Sequence, residues 1–169
     1  EFALHSVGRY FTPMARELLC EEALRMGVDY VLMTDDDMLY PRDLAFRLLA
    51  HQKDIVGALA FTRKPPHTPV LYLCDVLYDS VAHIQGPRFR SVLNYPPNAL
   101  VRCDAVGFGA VLLATRVLRT VPKHWFAKNA AKDTGEDVLF CLEAAKHGFL
   151  TYMDTSTKTL TDIEAQAGG

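Results

Sequence analysis

The sequence predicts an α/β fold in which a sheet carries helices on both faces. Strand-like apolar runs such as 30–33 and 54–61 alternate with segments of helical periodicity, and there is no internal repeat. The 169 residues, 50% of them hydrophobic, suit one domain over 1–169 with a substantial core. Because ligands of such folds gather at the carboxyl ends of strands, polar residues that follow a strand are the first candidates for a site.

The first half of the chain predicts two helices and two strands. Apolar residues of 15–26 recur at helical spacing, and Gly27 stands where a helix C-terminal glycine belongs. Residues 29–34 are predicted to form a buried strand, and Pro41 begins a second helix through Leu49. The segment 54–61, rich in small and β-branched residues, predicts another strand.

The middle of the chain is harder to assign. The basic, proline-dense segment 63–67 predicts an irregular loop, and 70–73 predicts an edge strand. Scattered turn residues leave 75–97 mostly unassigned, whereas 100–114 predicts two short strands that flank a glycine-containing segment.

The end of the chain predicts one helix and one strand. The helix covers 134–147 and ends at Gly148. A final strand over 149–153 then precedes a polar tail from about residue 155.

Charge and hydropathy exclude some classes of function. The chain has 18 Lys and Arg against 20 Asp and Glu, a net charge of -2 and a pI near 6.3, which argues against binding nucleic acid by charge alone. The apolar stretch 105–115 is shorter than the roughly 18 residues that a membrane span needs, and the acidic first residue does not resemble a signal peptide. We therefore expect a cytoplasmic protein with no transmembrane segment.

The four cysteines predict no disulfide or zinc site. Cys20, Cys74, Cys103 and Cys141 lie among apolar neighbours without a CxxC pair. Such cysteines are typical of buried, reduced thiols.

Three consecutive aspartates, Asp35, Asp36 and Asp37, are the most informative feature of the chain. They follow the apolar run 30–33, so negative charge collects where a strand leaves its sheet. Because like charges repel, this cluster favours a bound hard cation such as Mg²⁺ or Mn²⁺, which takes carboxylate oxygens. The alternative is a solvated acidic turn.

A second acidic cluster starts the last helix. Thr134 as N-cap with Asp137 three residues later is a variant of the capping box, and acids are favoured in a first helical turn. A carboxylate fixed at a helix start can also serve as a general base. Both interpretations stay open at this point.

The two acidic clusters, taken in order with their neighbours, resemble those of glycosyltransferases of the GT-A fold, especially inverting family 2 and its small phage and bacterial members. The segments that carry the resemblance are 14–17 (MARE), 30–41 (YVLMTDDDMLYP), 54–58 (DIVGA), 105–113 (AVGFGAVLL), 125–126 (WF) and 135–138 (GEDV). The resemblance implies a three-layer, Rossmann-like GT-A sandwich that lacks the first strand and helix, since the chain starts at the second strand.

The resemblance also implies a reaction and its residues. A sugar would pass from a nucleotide-diphosphate donor to an acceptor hydroxyl with inversion. Asp37 would be the principal ligand of a Mn²⁺ or Mg²⁺ ion, with Asp35 beside it or on the ribose, and Asp36 would occupy the variable position and face solvent. Asp137 would be the catalytic base and Glu136 the alternative to it.

Further residues are predicted to bind substrate. Arg16, Arg63 and Lys64 are candidates for the diphosphate, although exposed cations are common. Trp125 is a candidate for stacking on a sugar ring or, equally, for a core anchor. In addition, Gly107 and Gly109 would allow close approach to a ligand or mark a bulge.

One departure concerns the tail of the chain. Related enzymes close this segment with a metal-binding histidine, where Thr161 stands here, and Asp162 is a substitute candidate.

Two other functions remain open at this stage. A metal-dependent phosphodiesterase could use the same carboxylates, and a non-catalytic nucleotide-sugar binder would keep the fold and the metal. The sugar, the base, the acceptor and the oligomeric state do not follow from the sequence.

Overall fold

A computed structural model describes residues 3–8, 11–78, 84–126 and 135–161 of the chain. In chain order the elements are α1 (Thr12–Met26), β1 (Tyr30–Thr34), β2 (Met38–Leu39), α2 (Leu44–Ala50), β3 (Ile55–Leu59), β4 (Leu71–Tyr78), β5 (Ile84–Ser91), β6 (Leu100–Cys103), β7 (Ala105–Val106), β8 (Ala110–Ala114), α3 (Thr115–Thr120), α4 (Glu136–Lys146), β9 (Thr151–Lys158) and β10 (Leu160–Thr161).

The fold is mixed α/β with a five-stranded sheet. Its strand order is β1-β8-β3-β9-β6; β3 and β9 run parallel, and the other neighbouring pairs run antiparallel. A three-stranded sheet, β5-β4-β7, and the pair β10-β2 complete the strand pairing of the described residues. The expected α/β fold is confirmed at this level.

Helices cover both faces of the five-stranded sheet. Alternate residues of β3 point to opposite faces, so Ile55 joins one apolar cluster and Val56 the other. The first cluster includes residues of α1, α3 and α4, whereas the second is closed by Leu44 and Leu48 of α2. Each fully buried aliphatic side chain contributes about 1.5–3 kcal/mol. Helices therefore lie on both faces of this sheet, as the alternation of strands and helices predicted.

The helices follow the sequence with two exceptions, the start of α2 and the presence of α3. Gly27 ends α1 in the left-handed conformation at φ 70°, and Gly148 follows α4 with φ 87°, as expected. The second helix begins at Leu44 and not at Pro41, because Pro41 opens a turn in which the Leu44 N–H donates to its carbonyl at 3.0 Å. The short helix α3 was not predicted.

The strands differ from the sequence prediction at more positions than the helices do. The predicted buried strand β1 is an edge strand in which Met33 alone is fully buried. The segment 70–73 is not an edge, because β4 lies between β5 and β7. Three strands occupy 100–114 instead of two, and the unassigned segment 75–97 contains β5. No local pattern shows the pairing of β1 with β8 or of β4 with β7, because these partners are distant in sequence. Strand β5 pairs with its neighbour β4, but the scattered turn residues of this segment hid it.

The described start of the predicted polar tail belongs to a strand that is buried at alternate residues. Strand β9 continues to Lys158, and Thr155, Thr157 and Thr159 are buried. Their hydroxyl groups are satisfied; Thr155 Oγ1, for example, lies 2.7 Å from the carbonyl of Pro96. Polar composition was therefore misleading, because hydrogen-bonded threonines fit a buried strand.

Asp154 organises this last strand. Its buried carboxylate accepts hydrogen bonds from Ser156 N and Thr157 Oγ1, both at 2.8 Å, and lies 2.9 Å from His51 Nε2. Burial by itself would raise the pKa of Asp154, but the hydrogen bonds from Ser156, His51 and Thr157 lower it to about 2. The carboxylate thereby holds residues 155–157, which interrupt the pairing of β9 with β3.

The final strand returns the chain to the acidic turn. In the pair β10-β2, Leu160 lies opposite Leu39 and Thr161 opposite Met38, the residue after Asp37. Position 161 therefore lies near the aspartates, whereas Asp162 lies outside the described residues.

Three of the four cysteines agree with the prediction. Cys20, Cys103 and Cys141 are buried free thiols, and burial raises the pKa of Cys141 to about 12. Cys74 is a free thiol but only half-buried. In the described parts of the chain, no helix is both long and apolar enough to span a bilayer.

Candidate active site around Arg16

The acidic turn after β1 is attached to the segment between β7 and β8. Asp35 N–H donates to the Gly109 carbonyl at 3.1 Å, and the Tyr40 hydroxyl lies 2.6 Å from the Asp35 carbonyl and 2.8 Å from that of Gly109. A Cβ at Gly109 would lie only 2.8 Å from Met38 Sδ and 3.5 Å from Asp35 Oδ2. A glycine therefore lets this strand end lie directly against the aspartates.

The three aspartates have different surroundings. Asp36 is exposed, which agrees with the expectation that it faces solvent. Asp35 and Asp37 are partly exposed, and each pairs with an arginine: Asp35 with Arg16 and Asp37 with Arg63. The sequence predicted a divalent metal ion at this cluster, but it did not predict that an arginine would pair with either aspartate.

The second acidic cluster begins α4. Gly135 is the N-cap residue without a side-chain capping bond, so Asp137 is the second residue of the helix. Its Oδ1 accepts a hydrogen bond from Val138 N at 2.8 Å. The predicted capping box would make Asp137 the third residue and therefore has the wrong register; its Thr134 lies outside the described residues.

Arg16 joins the two acidic clusters. From α1, its guanidinium donates to Glu136 Oε1 at 2.9 Å and to Asp35 Oδ1 at 3.4 Å. The same group lies over the Phe108 ring, 5.6 Å from its centroid, and the Arg16 side chain is only 9% exposed. Asp35, near the start of the chain, and Glu136, near its end, thus bind the same buried guanidinium.

This placement differs from the predicted contact of Arg16 with diphosphate. A guanidinium committed to two carboxylates and an aromatic ring serves first as a buried ion-pair centre. A sequence signal for burial existed: Arg16, Cys20 and Ala23 are spaced four and three residues apart and form the buried face of α1.

Phe108 was also missed as a site residue. It is fully buried, and its ring packs edge to face against Phe126 at 5.7 Å and Phe140 at 5.5 Å between centroids. This aromatic group fixes the surface on which Arg16 lies.

Asp137 has the electrostatics of a carboxylate in a poorly solvated site. Burial raises its pKa, while the hydrogen bond from Val138 and the charge of Arg16 act in the opposite direction. The pKa of Tyr72 is raised by burial and by the charge of Asp137, which places this phenol in the same electrostatic environment. A raised carboxylate pKa suits a general base, because the proton acceptor moves closer to neutral pH.

Arg63 contacts the acidic turn from the proline-rich loop. Its guanidinium pairs with Asp37 Oδ2, and the two side chains are 53% and 41% exposed. Lys64 is exposed, and within the described ranges it forms no ion pair. Asp37 Oδ1 is buried and has no hydrogen-bond partner among the described residues.

The other two predicted residues, Trp125 and Gly107, pack against apolar parts of the fold. Trp125 is 5% exposed and donates Nε1–H to the Val121 carbonyl at 3.0 Å, which matches the core alternative for this residue. Gly107 packs against Val70, where an added Cβ would lie 3.0 Å from the valine side chain. Its close approach is therefore to another strand.

The carboxylates fit one kind of metal site. Within the described ranges, no group of three or more His, Cys, Asp or Glu residues could hold a metal ion. Mg²⁺, however, is commonly bound by one or two carboxylates together with substrate phosphates. Asp35 and Asp37, with the unpartnered Oδ1 of Asp37, fit an ion that is completed by a phosphate ligand.

The central position of Arg16 leads to a stability prediction. Arg16→Met keeps much of the side-chain volume but leaves Asp35 and Glu136 without their cation, so the free energy of unfolding should fall by about 3 kcal/mol. Arg25→Met is the matched control, because Arg25 is an exposed cation on the same helix that pairs with Glu22. Urea unfolding followed by circular dichroism measures both.

The double variant Arg16→Met, Glu136→Gln should be more stable than the sum of the single changes indicates, because one unpaired charge is removed. If Arg16→Met unfolds like Arg25→Met, the buried ion pair does not hold the site together.

Comparison with known proteins supports the fold. No protein-family model and no curated protein matches the chain. Among solved structures the chain is similar to A197 from STIV, with a TM-score of 0.58 and 17% sequence identity over 89% of this chain and 67% of A197. At this identity the similarity shows a shared mixed α/β fold.

Proposed function

We propose that this chain is a metal-dependent glycosyltransferase of the GT-A type, which transfers a sugar from a nucleotide-diphosphate donor to an acceptor hydroxyl with inversion. The observation that carries the proposal is that one buried guanidinium, that of Arg16, binds both Asp35 and Glu136. These residues belong to the two acidic motifs on which the sequence resemblance rests.

The acidic turn would hold the donor. Asp37 is the principal candidate to bind Mn²⁺ or Mg²⁺, because it is partly accessible and its Oδ1 has no hydrogen-bond partner among the described residues. Asp35 is a second ligand at the same turn. A divalent ion in this place supplies charge neutralisation for the departing diphosphate. Arg63 and Lys64 extend the positive charge available to the phosphate oxygens.

The start of α4 would serve the acceptor. Asp137 removes the proton of the acceptor hydroxyl, because its pKa is raised and its carboxylate is not part of the Arg16 ion pairs. Glu136 is the weaker candidate, since its Oε1 already accepts a hydrogen bond from Arg16. Attack by the hydroxyl on the face opposite the diphosphate inverts the anomeric carbon.

Three features of the fold agree with a GT-A arrangement. Helices lie on both faces of the sheet, the acidic turn follows a strand, and β10 returns the chain to that turn. These features support the proposed family, which remains a proposal because the similarity to A197 concerns the fold.

The reaction products test the proposal. Incubation with Mn²⁺ and a panel of nucleotide-sugars should release a nucleoside diphosphate, whereas a phosphodiesterase would release a nucleoside monophosphate and a binder would release neither. Asp37→Ala should abolish Mn²⁺-dependent nucleotide binding in calorimetry, while Asp36→Ala, a change at an exposed neighbour, should leave it near the parent value. Equal binding by both variants, or no nucleoside diphosphate from any donor, would contradict the proposal.

The proposed base gives a separate prediction. Asp137→Asn keeps the shape and an acceptor for Val138 N–H, so the free energy of unfolding should fall by at most about 1 kcal/mol. Because the proton acceptor is lost, transfer should drop by roughly 10²–10⁴-fold with metal and nucleotide affinity unchanged.

The control is Glu143→Gln. This change neutralises an exposed carboxylate of the same helix, whose partner is Lys146. It should transfer sugar at the parent rate. Transfer at the parent rate by Asp137→Asn would mean that this carboxylate only stabilises the helix start.

A further inference from the structure

The two arginines that pair with the acidic turn, Arg16 and Arg63, are held in different ways. Arg16 is buried and binds two carboxylates and an aromatic ring, so it cannot leave without exposing unpaired charge. Arg63 is more than half exposed and contacts a single carboxylate, Asp37, which is itself partly exposed. Exposed ion pairs of this kind are weak and are easily exchanged for another partner.

The loop that carries Arg63 keeps it near the turn. Thr62 N donates to the Thr68 carbonyl at 2.9 Å, and Val70 N donates to the Ala60 carbonyl at 3.0 Å, so both sides of the loop are joined at its base. The long, flexible arginine side chain can change partner while its backbone stays in place.

Asp37 has one carboxylate oxygen with no partner among the described residues. Its Oδ2 accepts from Arg63, whereas its buried Oδ1 has no hydrogen-bond partner among the described residues. A buried carboxylate oxygen without a partner is costly, and a divalent ion at this carboxylate would satisfy it. The same ion would repel the neighbouring guanidinium, since both are cations.

We propose that Arg63 is an exchangeable counter-ion, which neutralises Asp37 until a divalent cation binds there and then moves to the diphosphate of the donor. This inference rests on the proposed function. Arg63 therefore opposes the binding of metal alone and favours the binding of metal together with nucleotide. The two ligands become cooperative because a single side chain has opposite effects on them.

The test measures the two effects separately by calorimetry on Arg63→Gln. For Mn²⁺ alone, the dissociation constant should fall about two- to fivefold, because the competing ion pair is gone. For a nucleoside diphosphate at saturating Mn²⁺, the dissociation constant should rise about tenfold, because a charge-assisted hydrogen bond is lost.

Lys64→Gln is the matched control for the measurement with Mn²⁺ alone. It removes the same charge from the same loop but disrupts no ion pair in the described part of the chain, so Mn²⁺ affinity should stay near the parent value. Thermal unfolding of both variants should match the parent, which excludes misfolding as the cause of any change.

The outcomes separate this inference from the function. If the parent binds Mn²⁺ and nucleotide but Arg63→Gln does not bind Mn²⁺ more tightly than Lys64→Gln, the counter-ion role is wrong and the function stands. Unchanged nucleotide affinity in Arg63→Gln also overturns the exchange. If the parent protein binds no Mn²⁺, the proposed metal site and this inference are both wrong.

Discussion

A buried guanidinium between two carboxylates is the interaction on which the site depends. Arg16 comes from the first helix, Asp35 from the turn after β1, and Glu136 from the start of α4, so the ion pairs join the start of the fold to a helix that begins 120 residues after Arg16. Without that cation, the partly exposed Asp35 and the poorly solvated Glu136 and Asp137 would be like charges, and their repulsion would drive the elements apart. Phe108 fixes the other side of the guanidinium.

The difference between the two arginines also separates two tasks. A buried, fully committed cation maintains geometry, whereas an exposed cation with one partner can respond to a ligand. The acidic turn has one of each, Arg16 on Asp35 and Arg63 on Asp37. The turn can therefore be held in place at one aspartate and remain available at the other, which is what a site that exchanges ligands requires.

Local signals in the sequence predicted much of the fold. The end of α1 at Gly27 and the buried strand β3 follow from a left-handed glycine and a run of apolar residues, which depend on near neighbours. The β2-β10 pair and the centre position of β4 depend on partners far away in the chain, so no local pattern indicated them. The acidic motifs were found from sequence. The buried pairing of Arg16 with Asp35 and Glu136 was not predicted, because it joins residues up to 120 positions apart, and the contact of Arg16 with a diphosphate stays a prediction. Phe108 and Tyr40 were missed because their roles arise from packing and from contacts with main-chain carbonyls.

The proposed convergence of the two acidic clusters on one metal and nucleotide site can be tested directly by paramagnetic broadening of backbone amide signals on addition of Mn²⁺ with a nucleoside diphosphate. This broadening falls steeply with distance from the ion. The account predicts that amides of 35–37, 107–109 and 135–138 broaden together, while those near Lys146, about 15 Å farther along α4, stay sharp. Broadening at 35–37 with sharp signals at 135–138 would contradict it, because the proposed metal ligands and the proposed base would then belong to separate sites.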